Sequence, residues 1–355
     1  MSGSSSGEIT VPKISDQIPH DLVTEILARL PAKSLARFVC VSKTWASTIR
    51  SRDFHNSFVT RSSTRPSILL ALSDTHRDRR YSFFSFPISD NEESPSLAYH
   101  GYMKRRTFSM FHSVRGLICL KCSSSPVILN PSLRKAVTLP VTTPNLRPEE
   151  NDRYCYLGYD PIEDHYKVLS IETRLSYRSG TCSFQEIRIL TLGEDRLQWR
   201  KIEGGRFHFP DSPGTCINGV LFYRAYIKHV GITLVRFDVK TEKFSFINAP
   251  NHHLPSRLTD YRGKLAVYGP IRRGFLRLFV LEDTEKNEWS NKLYVMPHSW
   301  RDLVPGGDEL FDARFTDSGG IVLAPYFTRS ERYYVIHCNP ERNILERLSL
   351  EDPKN

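Results

Sequence analysis

Between Ile18 and Phe58 apolar residues recur at helical spacing, and prolines and serines stand where helices must start or stop. Pro19 suits a first helical turn, Asp21 and Glu25 favour the positive end of the helix dipole, and Pro31 ends the helix near Leu30. Leu22, Val23, Ile26, Leu27 and Leu30 then share one wide face. A second short helix runs from Pro31 or Ala32 to Val39 and carries Leu35 and Phe38, and Ser42 can cap a third on which Val41, Trp45 and Ile49 recur every fourth residue. Three short helices of this kind hold more apolar surface than they can bury among themselves, because so small a unit rarely sustains a core unaided. A partner is implied. Five or six Leu and Ile side chains in its groove, at roughly 1.5 to 3 kcal/mol each, would support tight binding after the costs of association.

After Arg65 the periodicity changes to short β-branched and aromatic runs bounded by Gly, Pro and Asn, which marks a domain boundary. A unit then repeats: strand, tight turn, strand, variable loop, strand, polar turn, strand. Its clearest copy is Ser256 to Pro297, with strands at 257–261, 264–268, 275–281 and 289–295. The same order fits 108–140, 154–202, 215–250 and 311–350, and 68–97 reads as an incomplete opening unit without its first strand. Four antiparallel strands in about forty residues is the size of one propeller blade. The expectation is a small all-α region followed by an all-β domain, a β-propeller of about six blades, with a two-sheet β-sandwich as the alternative. The expected boundaries are a disordered tail over 1–13, the helical region over 14–60, a linker over 61–67, the β-rich domain over 68–350 and a tail over 351–355.

Two family resemblances attach to these regions. Ile18-Pro19-His20-Asp21-Leu22, Glu25 to Pro31, Ser34 to Arg37 and Val41 to Trp45 resemble the F-box motif, with Ile18 where the family usually has Leu. The resemblance implies docking onto a Skp-type adaptor, and through it a cullin scaffold, by Ile18, Pro19, Leu22, Val23, Ile26, Leu27, Leu30, Pro31, Leu35, Val41 and Trp45. Further along, Gly116 to Leu120, Leu157 to Pro161, Asn218 to Phe222, Phe237 to Val239 and Gly263 to Leu265 are similar to the F-box-associated interaction domains of plant-type F-box proteins, of kelch-like propeller character. Together the two imply a substrate-recognition subunit of a ubiquitin ligase, without catalytic residues of its own.

Other readings are open to the residues alone. A net charge of +10 would suit nucleic acid, yet Lys and Arg are spread along the chain and form no long basic block. The seven cysteines are odd in number and scattered through apolar stretches, which fits reduced thiols, and no apolar run reaches membrane-spanning length, so the expected compartment is cytosol or nucleus. Gly3 to Gly7 imitates a hydrolase elbow without a strand before it, Cys119 and Cys122 form a single Cys-x-x-Cys, and His252-His253 lacks a partner ligand, so neither metal nor cofactor is expected. A propeller-type enzyme and a nucleic-acid binder stand as the alternative functions.

The loop joining second and third strands lies at the opposite end of a blade from the two hairpin turns, so these loops should gather on one face. They are basic, with Arg77, Arg79, Arg80, Lys121, Arg174, Arg178, Lys228, Arg272, Arg273, Arg329 and Arg332, and Tyr177, Tyr226, Tyr326 and Phe327 are interleaved. An acidic or phosphorylated segment of a target protein is the expected ligand of this face, bound by Arg77, Arg79, Arg80, Arg178, Tyr226, Lys228, Arg272, Arg273, Tyr326, Arg329 and Arg332.

Overall fold

The computed structural model describes residues 19–63, 67–74, 80–87, 98–104, 111–120, 125–141, 152–176, 181–203, 205–250, 257–304, 310–316, 319–325, 333–339, 342 and 344–350. They divide into a helical unit and an all-β unit.

The helical unit holds α1 (His20–Ala28), α2 (Ala32–Phe38), α3 (Lys43–Arg50) and α4 (Arg52–Ser63). Pro19 and Pro31 stand directly before α1 and α2, and the Ser42 hydroxyl accepts the Trp45 N–H at 3.0 Å, as expected. α4 is an addition to the three expected helices, and because it runs to Ser63 the residues read as the start of a linker are helical. Ser51 caps it by accepting the Phe54 N–H at 3.2 Å. Phe54 joins Val23, Leu27, Ala28 and Leu35 in one small core, against which Leu30, Phe38, Trp45, Ile49 and Phe58 pack. The Trp45 ring meets Phe38 edge-on at 5.4 Å.

Six separate antiparallel sheets form the β unit, and they are the blades of a six-blade β-propeller. Among the described residues blade 1 has three strands: β1 (Ser67–Asp74), β2 (Arg80–Pro87) and β3 (Ala98–Lys104). Blade 2 follows with β4 (Phe111–Val114), β5 (Leu117–Leu120), β6 (Val127–Asn130) and β7 (Lys135–Thr138), and blade 3 with β8 (Asp152–Asp160), β9 (His165–Ser176), β10 (Thr181–Thr191) and β11 (Arg200–Lys201). In blade 4, β12 (Phe209–Pro210) and β13 (Thr215–Ile217) both pair with β14 (Val220–Ile227), and β15 (Gly231–Asp238) and β16 (Phe244–Asn248) complete the sheet. Blade 5 comprises β17 (Arg257–Tyr261), β18 (Lys264–Tyr268), β19 (Phe275–Asp283) and β20 (Glu288–Val295). A 3-10 turn, His298–Leu303, leads to blade 6: β21 (Leu310–Phe315), β22 (Ile321–Pro325), β23 (Tyr333–Asn339) and β24 (Ile344–Leu350).

Alternation along each strand explains why the sheets stack face to face. In β14, Leu221, Tyr223 and Ala225 pack against Tyr156, Leu169 and Ile171 of blade 3, whereas Phe222 turns to Leu258 and Leu265 of blade 5. Every interior sheet is therefore apolar on both faces, which excludes a two-sheet sandwich. Polar bonds also cross the joints: the ring nitrogens of buried His112 in β4 lie 2.6 Å from the carbonyl oxygens of Leu157 and Gly214.

Among the described residues four hairpins turn through the pairs Arg115-Gly116, Asn218-Gly219, Arg262-Gly263 and Arg273-Gly274, all at positive φ. That conformation matches the strand twist and favours glycine at the second position. Gly158 plays another part. It lies within β8, and a Cβ there would come 2.6 Å from Val239 Cγ2 of blade 4, so it marks a close approach of blades and not a turn. A chain starting at Arg65 is expected to be soluble, with the circular dichroism of a β protein, because blades 2 to 5 each bury both faces on neighbouring blades and blade 6 packs on blade 5. Aggregation of that fragment in light scattering would show that the helical unit completes the β fold.

Candidate functional site

α1 carries two apolar stripes, and the helical unit uses only one of them for its own core. Leu27 is 0% exposed and Val23 lies beside it, while Leu22 and Ile26, one turn apart, are 51% and 49% exposed. Val41, between α2 and α3, is 59% exposed. Leaving three large aliphatic side chains in water is costly for so small a unit, at roughly 1.5 to 3 kcal/mol each relative to burial. This arrangement sorts the residues assigned to adaptor docking. Val23, Leu27 and Leu35 are interior to the helical unit, Leu30 and Trp45 are half-buried, and Leu22, Ile26, Val41 and Pro31 are exposed. Pro19 precedes α1 and is exposed, and Ile18 lies outside the described residues.

Glu25 holds the exposed stripe in place. Its carboxylate accepts from Arg61 of α4 at 2.9 and 2.8 Å and from Arg29 at 2.9 Å. Those hydrogen bonds, Arg61 first, pull its pKa from 4.5 to about 2. A lowered carboxylate pKa contributes stability above the unfolded value that fades as pH falls through the folded one. Glu25→Gln is therefore expected to lower the melting temperature of the helical unit near neutral pH, with the difference from wild type shrinking between pH 4.5 and about 2. A constant difference across that range in a fluorescence melt would remove the clamp from the account.

At the other candidate site, the end of the propeller where second strands pass to third, the described residues are Tyr226, Lys228, Arg272 and Arg273, all exposed. Arg80 opens β2. Arg77, Arg79, Lys121, Arg178, Tyr326, Arg329 and Arg332 lie outside the described residues, as do Cys122 and His252-His253, and Arg174 is placed only as a residue of β9. Residues that sequence reasoning had not singled out come to this end as well. Phe209 pairs with Tyr226 across β12 and β14, their rings 6.5 Å apart, and Phe207 lies 6.1 Å from Phe209. The alternating Phe207-His208-Phe209 was the available signal for a short edge strand.

The cysteines Cys119, Cys155 and Cys338 are buried, Cys216 is half-buried and Cys40 is exposed. Burial pushes the Cys119 thiol well up, and the Cys338 thiol to about 11. Among the described residues no three His, Cys, Asp or Glu side chains are gathered as metal ligands, and no helix is long and apolar enough to cross a membrane.

Residues 15–57 match the F-box domain, and residues 67–355 match the F-box associated beta propeller domain. The chain belongs to the F-box proteins that carry this propeller. It is 37% identical over 361 residues to the F-box protein DOR of Arabidopsis thaliana, an alignment covering 95% of this chain and 88% of that protein. To the F-box protein At2g21930 of the same plant it is 35% identical over 364 residues, covering 97% and 88%.

Proposed function

We propose that this chain is the substrate-recognition subunit of a Skp-cullin-F-box ubiquitin ligase, working in the cytosol or nucleus. The exposed pair Leu22 and Ile26 carries the reading: an F-box that has already satisfied its own core with Val23, Leu27 and Leu35 still presents a second apolar stripe, which a Skp-type adaptor would cover. The cullin joins through that adaptor. The propeller holds the target protein, and the chain itself performs no chemistry. Membership of the F-box family and the separation of the helical and β units both support this division of labour.

Protein turnover tests it. Plant cells expressing the full chain are compared with cells expressing the chain without residues 1–63, and half-lives are measured across the proteome. The proposal expects a protein that associates with both forms but is shortened in half-life only by the full chain. Identical half-lives in both, with the propeller folded, would overturn it.

A further inference from the structure

Nine large apolar side chains are exposed on the described part of the propeller, and six of them lie at one end of two neighbouring blades. In blade 4 these are Phe207, Tyr226 and Val230, and in blade 5 they are Phe275, Leu293 and Val295. Strand direction places them together: β14 ends and β15 begins at this end, and so β19 begins and β20 ends here on the next blade. Phe275 and Val295 are cross-strand partners, as are Arg277 and Leu293. Folded chains rarely leave so much apolar surface gathered in one place without a use for it.

The platform is held rigidly. His208 is buried with one ring nitrogen 2.8 Å from the Arg206 carbonyl and the other 2.7 Å from the Tyr223 hydroxyl, and Gln185 donates to the His208 carbonyl at 2.6 Å. Phe207 and Phe209 flank that anchor. On blade 5, Arg272 and Phe275 exchange two backbone hydrogen bonds of 3.0 and 2.9 Å, which fixes Arg272 and Arg273 at the tip of a tight turn.

Around the apolar residues the charge is one-sided. Arg206, Lys228, Arg272, Arg273 and Arg277 are exposed and none is paired with a carboxylate among the described residues. The carboxylates described at this end of blades 4 and 5 are Glu203, Asp211 and, in the 3-10 turn after β20, Asp302, against five exposed cations, and Asp211 is held by Arg224 at 2.8 Å. Aliphatic Val230, Leu293 and Val295 offer no stacking surface to bases, which favours a peptide over single-stranded nucleic acid. The geometry points to this end of blades 4 and 5 as the docking surface for an acidic segment of the target protein, one that sets a bulky apolar side chain among its carboxylates. The inference rests on the receptor reading and deepens it.

Selection from a random peptide library displayed on phage tests it, using the full chain as bait. The peptides recovered should combine Asp or Glu with an aromatic or aliphatic residue. Synthetic copies should bind wild type and lose at least about tenfold in affinity for Tyr226→Ser with Phe275→Ser, and for Arg272→Glu with Arg273→Glu. Both double variants should keep the wild-type melting temperature. Recovery of basic peptides, or binding unchanged in the two variants, would overturn the proposal. So would an equal loss of single-stranded DNA binding, or a wild-type dimer in light scattering that Tyr226→Ser with Phe275→Ser dissolves. Adaptor co-purification, measured on the same variants, separates the two levels: retained adaptor with lost peptide locates the target surface, whereas an adaptor bound by none of the proteins tells against the receptor reading alone.

Discussion

Replacing Leu22 and Ile26 together with aspartate is expected to abolish co-purification of a Skp-type adaptor while the propeller keeps its unfolding temperature. Each side chain is about half exposed in the free chain, so the helical unit loses little of its own packing. In the complex the loss is larger. Two aliphatic contacts worth roughly 1.5 to 3 kcal/mol each disappear, and two carboxylates would have to be desolvated against an apolar groove. A loss of about 3 kcal/mol or more is at least a hundredfold in Kd. Leu27→Asp supplies the contrast. It places a charge in a fully buried position, so it should melt the helical unit itself and appear as lost helical circular dichroism. If the Leu22 and Ile26 variant lost helicity as Leu27→Asp does, the two-stripe description of α1 would be wrong.

Glu242→Ala is expected to lower propeller stability by about 3 kcal/mol, measured as a shift of the urea midpoint. Glu242 lies in the hairpin turn between β15 and β16 and accepts from Lys167 of blade 3 at 2.9 Å and from Arg200. Lys167 is buried and donates also to the Val239 carbonyl at 3.0 Å, so one ammonium ties two blades together. Burial pushes the Glu242 carboxyl up, but the hydrogen bonds from Arg200 and Lys167 outweigh it and leave it below the ordinary range. Removing the carboxylate strands a buried cation. Lys167→Met combined with Glu242→Ala should recover much of the loss, because no buried charge then remains, while Arg200→Ala should matter little at its 55% exposure. A double variant no more stable than Glu242→Ala would mean that packing, and not charge, holds this joint.

What was legible in the residues follows from which physical signals are local. The Gly-containing hairpins were visible because positive φ at the second turn position favours glycine, and Arg115-Gly116, Asn218-Gly219 and Arg262-Gly263 placed the repeats. The other hairpin turns were harder to anchor. Arg134, Asp164, Glu242 and Asn287 sit at positive φ without glycine, and the Asp side chains that build several of these turns, such as Asp160 and Asp283, resemble any polar surface residue. Gly158 in β8 serves a close approach to Val239 of the next blade, which depends on a turn distant in the sequence and has no local signature.

The helical unit shows the same division. Spacing revealed that α1 is apolar on a wide face, but periodicity cannot separate the stripe taken by Phe54 and Leu35 from the stripe left to Leu22 and Ile26, since tertiary packing decides it. α4 escaped notice because only Phe54 and Phe58 mark its inner face, among Arg, His, Asn and Ser. Arg61, which reaches back to Glu25, is likewise a long-range partner. On the propeller the basic loops were plain in the sequence. The rings of Phe207 and Phe209 were not, because they stand in a connection before the blade and meet Tyr226 only through the short pairing of β12.

Assembly from purified components addresses the central claim most directly. The full chain, a plant Skp-type adaptor and a cullin are mixed at equal concentration and followed by sedimentation velocity. The account predicts one species of the mass of a one-to-one-to-one complex, with cullin recruited only when adaptor is present and lost with Leu22→Asp and Ile26→Asp. A full-length, folded chain that sediments alone beside a competent adaptor–cullin pair would contradict it.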